Sequence, residues 1–431
     1  MSRLGNIGLS LENEEDMLTG TDVATVTPED IQDLATVEEQ VADVTADTEA
    51  MASAEADIEV VEEIQEVLEE AAASGEGVSE TAAQIATIVV ESLRDKLGLA
   101  GFTRPMPSLE SFGTTSSRVT ATNLAVEAIG DTVSRAWEAV KAFFKKIWEK
   151  IKGFYKSIFD GATRLENRVR KTQKVISEKS RFEPTETTFE NKTIAAAFTY
   201  HNETVVKSKT VTEMLETANG VLIAVGTVAK NVSKYVDNKD MDRSKFATSV
   251  FSTNGFMGSL IEPEVEGNSV FTTGEMIGGT AIFVEFDGPK AKGLDLKDKS
   301  ASKKDSVKVA RSGVTKINVK VSGTREISEE VPVLAIAEMS KVCTECLSTA
   351  KLLADFKKVE SEIDKVVKAI NKTADEQKKK GTDDGKAEAE FSMTSGKILN
   401  TVSIHAPAQA MRTAVTAMNY VDASLRFHKK D

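Results

Sequence analysis

Cysteine is nearly missing from this chain. Two cysteines among 431 residues exclude a disulfide scaffold and fit a reducing compartment. Aromatics are 6% of the residues, lean for a core of this size. Three histidines leave little material for nucleophilic triads. No apolar run reaches the ~18 residues a membrane-crossing helix needs; the longest candidate, residues 221–229, is far shorter. The opening MSRLGNIGLSLENEED lacks the apolar stretch of a signal peptide, so standard secretion is not expected.

The usual chemical motifs are missing as well. Neither G-x-x-x-x-G-K-S/T nor G-x-G-x-x-G occurs, and H-E-x-x-H is absent. Gly278-Gly279 sits between strand-like runs and reads as a bulge or bend. Cys343 and Cys346 form a C-x-x-C with no second pair, and His201, His405 and His428 are scattered. A structural zinc site needs about four ligands. The two cysteines lie inside an expected helix and read as buried thiols. Tyr200-His201-Asn202-Glu203 implies no partner by spacing. No catalytic residue, metal site or cofactor is therefore expected, and the chain reads as a non-enzyme.

What is present is charge, placed unevenly. The whole chain is −14. Residues 1–110 hold 26 Asp/Glu against 4 Lys/Arg, a net of −22. Residues 111–431 hold 42 acids against 50 bases, a net of +8. High negative charge with Phe102 as the one aromatic marks residues 1–110 as weakly ordered. Within them, residues 58–73 and 79–97 carry helical spacing, so two loose helices are the alternative to coil. Gly98, Gly101, Pro105 and Pro107 make residues 100–111 an exposed joint.

The clearest periodic element covers residues 124–159. Trp137, Val140, Phe144, Ile147, Ile151, Phe154 and Ile158 recur at alternating steps of three and four, a heptad stripe along one helix face. Lys141, Lys145, Lys146, Lys150, Lys152 and Lys156 populate the rest, and the run continues through Arg164, Arg168, Arg170, Lys171 and Lys174. Residues 134–181 hold 14 bases against 5 acids. Three uses of this helix stay open. Its stripe can pack in a core or on a partner helix, it can lie on an anionic membrane, or its bases can hold a polyanion.

Pro184 breaks the pattern. Residues 187–237 read as largely helical, with Met214, Leu215, Leu222 and Val225 in the core. Residues 270–286 and 314–321 read as strands, being rich in β-branched residues. Residues 288–306 read as a Lys/Asp/Gly-rich loop. Residues 331–373 read as helix, with Leu347, Leu352, Phe356, Val359, Ile363 and Val367 recurring. Residues 377–385 read as a turn and 387–427 as a final helical region. The expected class is helix-dominated α+β: a weakly ordered acidic N-terminal region, a long basic amphipathic helix, and a helical body with a small antiparallel sheet.

Ser108-Leu109-Glu110 lies in the joint where the charge changes sign, in the context PSLESFG, and Ser10-Leu11-Glu12 is a second such tripeptide. Ser53-Ala54-Glu55, Ser74-Gly75-Glu76, Ala125-Val126-Glu127 and Ala136-Trp137-Glu138 also match Ser/Ala-x-Glu. This organisation, with the opening MSRLGNIGLSLE, resembles the internal head proteins of large tailed bacteriophages of the phiKZ-like myovirus type. The resemblance covers the first 113 residues.

It implies that a prohead protease cleaves after Ser/Ala-x-Glu, here after Glu110 before Ser111, and removes an acidic propeptide during capsid maturation. It implies a structural virion protein made in the host bacterial cytoplasm. That protein then lies in the head with packaged double-stranded DNA, bound without sequence preference and beside other inner-head or capsid proteins. Some such proteins are ejected with the genome, where a membrane is a further partner. The segments on this reading are an acidic propeptide-like region, 1–110, a basic helical segment, 111–183, and an α+β body, 184–431. The competing readings are a prohead core or scaffold protein, a membrane-active ejection protein using the stripe, and an enzyme within residues 187–431.

Overall fold

A computed structural model describes residues 28–199, 205–238, 241, 246–251, 253–259, 269–286, 316–321, 328–380 and 383–429. Ser10-Leu11-Glu12, His201 and the loop expected over 288–306 lie outside the described residues. The described chain is helix-dominated α+β, as its composition and periodicities lead one to expect. By packing it forms two units. One comprises Ala42–Lys152 and Val367–Ala389; the other comprises Met1–Val41, Gly153–Val366 and Glu390–Asp431. This division cuts across the three linear segments expected.

The Ala42–Lys152 part of the first unit is built on three helices among the described residues. Helix α1, Pro28–Ala73, contributes its residues from Ala42 onward. Helix α2 is Glu80–Lys96, and helix α3, Thr115–Glu178, contributes as far as Lys152. Residues 28–97 are thus two helices with buried faces, and weak order does not describe them. The reason is spacing. Val44, Met51 and Ile58 are seven apart and 0–1% exposed, with Ala54, Val61 and Leu68 offset on the same side. A strict seven-residue repeat is a seam even when the other faces are acidic. Contacts at both ends set direction: Asp43 faces Lys150, while Glu62 faces Trp137, so α1 and α3 run antiparallel here.

Helix α2 starts at Ser79, whose Oγ accepts from the Ala82 amide at 3.3 Å. Arg94 and Lys96 sit in its last turn, and Gly98 at φ +65° closes it. Its buried residues Ala83, Ala86, Val90 and Leu93 face inward. Arg94 reaches Thr132 on α3 at 2.8 Å, and the Val78 amide donates to Thr122 Oγ1 at 3.1 Å.

The second unit carries the sheets and the C-terminal helices. Strand β1, Thr188–Glu190, precedes helices α4, Lys192–Phe198, α5, Ser208–Asp237, and α6, Phe246–Phe251. Strands β2, Met257–Ser259, β3, Ser269–Thr272, β4, Thr280–Phe286, and β5, Lys316–Val321, form one antiparallel sheet in that order. Strand β6, Glu330–Pro332, pairs antiparallel with β1. The run 270–286 is therefore two strands, split at Gly278 and Gly279, both at positive φ. That is the bend the Gly-Gly pair suggests.

Helix α7, Ile336–Asp355, carries Cys343 and Cys346, both free and fully buried. Burial pushes the Cys343 thiol up to about 12, so neither cysteine is a ready nucleophile. Helix α8, Lys357–Lys380, follows after a break at Phe356. Here Leu353 and Phe356 are buried, whereas Leu352 is half-exposed, because it lies off the α7 face that buries Met339, Val342, Cys346 and Leu353.

Helix α9, Asp383–Leu425, is buried almost all round over residues 391–425. It packs against the later part of α3. A Cβ on Gly161 would lie 2.9 Å from Met411 Cε, the flexible tip of that side chain, so a larger residue here would oblige Met411 to shift. The Arg168 guanidinium donates to Asp422 Oδ2 from Nε at 3.1 Å and from Nη2 at 2.6 Å. Burial pushes the Asp422 carboxyl upward, and Arg168 and Thr172 pull it back.

His405 on α9 keeps some accessible surface, yet desolvation pulls its pKa down to about 4. The unfolded chain takes up a proton near the ordinary value of ~6.5, and the folded chain refuses it. Stability conferred by the neutral ring is therefore full above pH ~6.5 and falls as pH drops toward 4. A shift of this size corresponds to about 3 kcal/mol. Urea unfolding across this range is expected to show that slope, and His405→Gln to flatten it.

Candidate functional site

Two features carry the functional question: the joint after α2 and the basic face of α3. The joint runs from Leu97 to the start of α3 at Thr115. Arg104 ties its early part to α3: its amide donates to Asp131 Oδ2 at 2.9 Å and Nη1 pairs with Glu127 at 2.7 Å. The Arg94 guanidinium also donates to the Arg104 carbonyl. Residues 104–108 have no helical or strand pairing, and Ser108 is extended at φ −64°, ψ 144°. This much of the joint is irregular backbone without helix or strand.

Beyond Ser108 the backbone turns. Leu109–Phe112 is a single 3-10 turn, with the Ser111 amide donating to the Ser108 carbonyl at 3.0 Å. Ser108 and Ser111 hydroxyls meet at 3.0 Å. Ser108 and Glu110 are exposed, and Leu109 and Ser111 are half-exposed. Phe112 is the exception at 1% exposure. Its carbonyl accepts from Arg118 Nε at 3.2 Å. So the expected scissile bond is accessible but turned, and an apolar anchor sits two residues downstream. Sequence reasoning leaves Phe112 at the edge of the exposed joint because nothing local shows what its ring packs on.

The hydrophobic stripe of α3 faces inward. Val140, Phe144, Ile147, Ile151, Phe154 and Ile158 are 0–1% exposed. Trp137 is half-buried, and its Nε1–H donates to Glu62 Oε1 at 3.0 Å. Trp148 and Tyr155 are buried as well, so the apolar face is broader than the heptad alone. The stripe is thus a core seam within the fold.

The eleven bases divide into distinct states. In the first unit Lys145 and Lys146 are exposed, and Lys141 is half-exposed. Lys150 is engaged by two acids of α1, Asp43 at 2.8 Å and Asp47 at 2.6 Å, which raise its pKa. Lys152 pairs with Glu149 at 2.9 Å and lies over the Trp148 ring. In the second unit Lys156, Arg164, Lys171 and Lys174 are exposed, and Arg170 pairs with Glu166 on the surface.

Arg168 departs from the expectation. It is turned inward onto Asp422 and is 8% exposed. Its position on the wheel, between the basic and apolar faces, gives no sign of a partner 254 residues away. Sequence reasoning also missed Asp43 and Asp47 as partners of Lys150, although the heptad of α1 is there to place them.

Among the described residues, no group of His, Cys, Asp and Glu is arranged to hold a metal ion. Among the same residues, no helix is long and apolar enough to cross a membrane.

Opening the 3-10 turn is the step that exposes Glu110–Ser111 fully, and Phe112 opposes it. Truncating a buried Phe costs roughly 3–5 kcal/mol when its packing is removed entirely. Phe112→Ala is therefore expected to speed cutting of this bond by a Glu-specific endopeptidase at least about tenfold, the effect of 1.36 kcal/mol on a barrier. Mass spectrometry of a timed digest reads that one bond; an unchanged rate would remove the anchor from the account.

A family model described as phiKZ-like phage internal head proteins matches residues 36–423 of the chain. No curated protein and no solved structure matches it.

Proposed function

The chain belongs to the phiKZ-like phage internal head proteins, and we propose that within the head it is matured by proteolysis after Glu110 and then lies on packaged double-stranded DNA. Membership makes it a structural protein of the phage head interior. The finer reading concerns charge. Residues 1–110 carry −22 and the rest +8, so cutting after Glu110 and losing the acidic part reverses the sign of what remains. A polyanion would be repelled before that loss and attracted after it.

The observation that carries this reading is Lys150. Two carboxylates of the acidic segment, Asp43 and Asp47, sit on a lysine of the basic helix in the same packed unit. The acidic segment thus occupies a base that DNA phosphates would otherwise engage. Lys156, Arg164, Lys171 and Lys174 supply further exposed charge on the later part of α3. Binding of this kind needs no base contact, because lysines on phosphates gain affinity from counterion release alone.

The membrane-active reading needs the apolar stripe, which is packed inside the fold of the uncut chain. A scaffold of helices throughout does not fit the four-stranded sheet.

The primary test is mapping of the N-terminus in protein recovered from mature particles. A start at Ser111 is expected. A chain that retains residues 1–110 would overturn the maturation reading.

A second expectation concerns salt. The chain from Ser111 to Asp431 should bind duplex DNA with an affinity that falls linearly with log salt. Replacing Lys156, Lys171 and Lys174 by Gln should reduce the slope by about 0.9 for each phosphate no longer neutralised, equally on unrelated sequences. An unchanged slope would move the DNA-binding surface away from this face.

A further inference from the structure

We propose that the outward groove between α1 and α2 is a docking site, in the full-length chain, for a basic amphipathic helix of another protein. The site is independent of where the chain is cut.

The first observation is apolar exposure. On α1, Val60 is 47% exposed and Val67 62%; on α2, Ile85 is 57% exposed and Ile88 60%. Ile64 and Val89 are half-exposed. A single exposed apolar residue is ordinary, but a contiguous group of them marks an interaction surface.

The contacts between the two helices bring these six together. Lys96 of α2 pairs with Asp57 of α1 and reaches Ser53 Oγ at 2.7 Å. A short turn joins Ala73 to Glu80, so the helices run antiparallel. Moving from the Asp57–Lys96 pair toward that turn, Ile64 on α1 comes level with Val89 on α2. At ~100° per residue, Ile64 lies ~20° from Asp57 around α1. Ile85 and Val89 each lie ~20° from Lys96 around α2. The faces that meet at the ion pair therefore set Ile64 and Val89 on the floor of one groove. Val60 and Val67 rise on one wall, and Ile85 and Ile88 on the other.

The second observation is charge. Glu59, Glu63, Glu66 and Glu70 recur at steps of four, three and four, an acidic rim outside the α1 wall. Glu63, Glu66 and Glu70 are exposed. On α2, Glu91 and Asp95 lie beyond Ile88 and are exposed as well. An apolar floor between two acidic rims selects its occupant. A helix laid in a groove presents apolar anchors at i, i+3, i+4 and i+7. One laid here must carry Lys or Arg on its flanks. A second copy would set glutamates against glutamates, and an anionic membrane would be repelled in the same way. The basic helix of this chain, α3, already has its own stripe buried, so the occupant belongs to another protein.

The test titrates the full-length chain into a fluorescently labelled synthetic helix, with Leu at its a and d positions and Lys on both flanks, and reads anisotropy. Saturable binding is expected. Ile85→Ser combined with Ile88→Ser changes no charge and should weaken it at least about tenfold, a loss of about 1.4 kcal/mol. Glu63→Gln combined with Glu66→Gln should weaken it too and make it less sensitive to salt. Unchanged thermal melting of both variants is expected, since all four positions are exposed. A peptide of the same composition with its leucines scrambled should not saturate. Equal binding of the scrambled peptide, or an affinity indifferent to the isoleucine pair, would overturn the groove and leave only attraction of opposite charges. A full-length chain that is dimeric until Ile88→Ser is introduced would assign the groove to a second copy and overturn the basic partner.

Discussion

A helix of 64 residues with a continuous apolar face has to have that face covered, and the rest of this chain follows from how it is covered. Each large side chain on the face is worth about 1.5–3 kcal/mol when removed from water. Val140, Phe144, Ile147, Ile151, Phe154 and Ile158 are all removed. In one unit α1 and α2 do the covering, through Trp137–Glu62 and Arg94–Thr132. In the other α9 does, through Gly161 against Met411 and Arg168 on Asp422. The acidic segment is therefore part of a core before it is anything else. Its charges are arranged around an apolar seam, and they meet the lysines of α3 because the seam brings them there.

This explains which parts are legible in the sequence. The stripe of α3 is legible because one local period of three and four places every member on one face. The strands are legible from β-branched runs, and the Gly278-Gly279 bend from residues that tolerate positive φ. The buried C-x-x-C is legible from the absence of any further ligand. The order of the acidic region is not, since composition averages over faces. Val44, Met51 and Ile58 are few, but seven-residue spacing puts them all on one side. A charge census sees 22 acids in residues 1–76 and misses that seam.

Other features depend on long-range pairing and have no local sign. Arg168 reads as one more base in a basic run until Asp422 is seen against it. Phe112 reads as a loop residue until its ring is found buried. Both errors run the same way, because nearness to like residues in sequence does not give likeness of role. Burial decides the role instead. A buried ion pair such as Arg168–Asp422 is costly to desolvate and serves mainly to fix how two helices pack. The exposed lysines of the same helix bear no such cost.

What they suit follows from geometry. Lys156, Arg164, Lys171 and Lys174 span eighteen residues of one helix, about 27 Å at 1.5 Å per residue. Duplex DNA offers one phosphate per ~1.7 Å of its axis, so a line of bases this long meets several phosphates in almost any register. A straight helix surface with lysines and no aimed donors cannot distinguish one base pair from another. Its attraction is weak at each phosphate and strongly dependent on salt. Inside a head the local phosphate concentration is very high, so under the proposed reading weak attractions would suffice to keep such a protein against the genome. The same weakness would make masking simple under the proposed reading, because Asp43 and Asp47 already pair with Lys150.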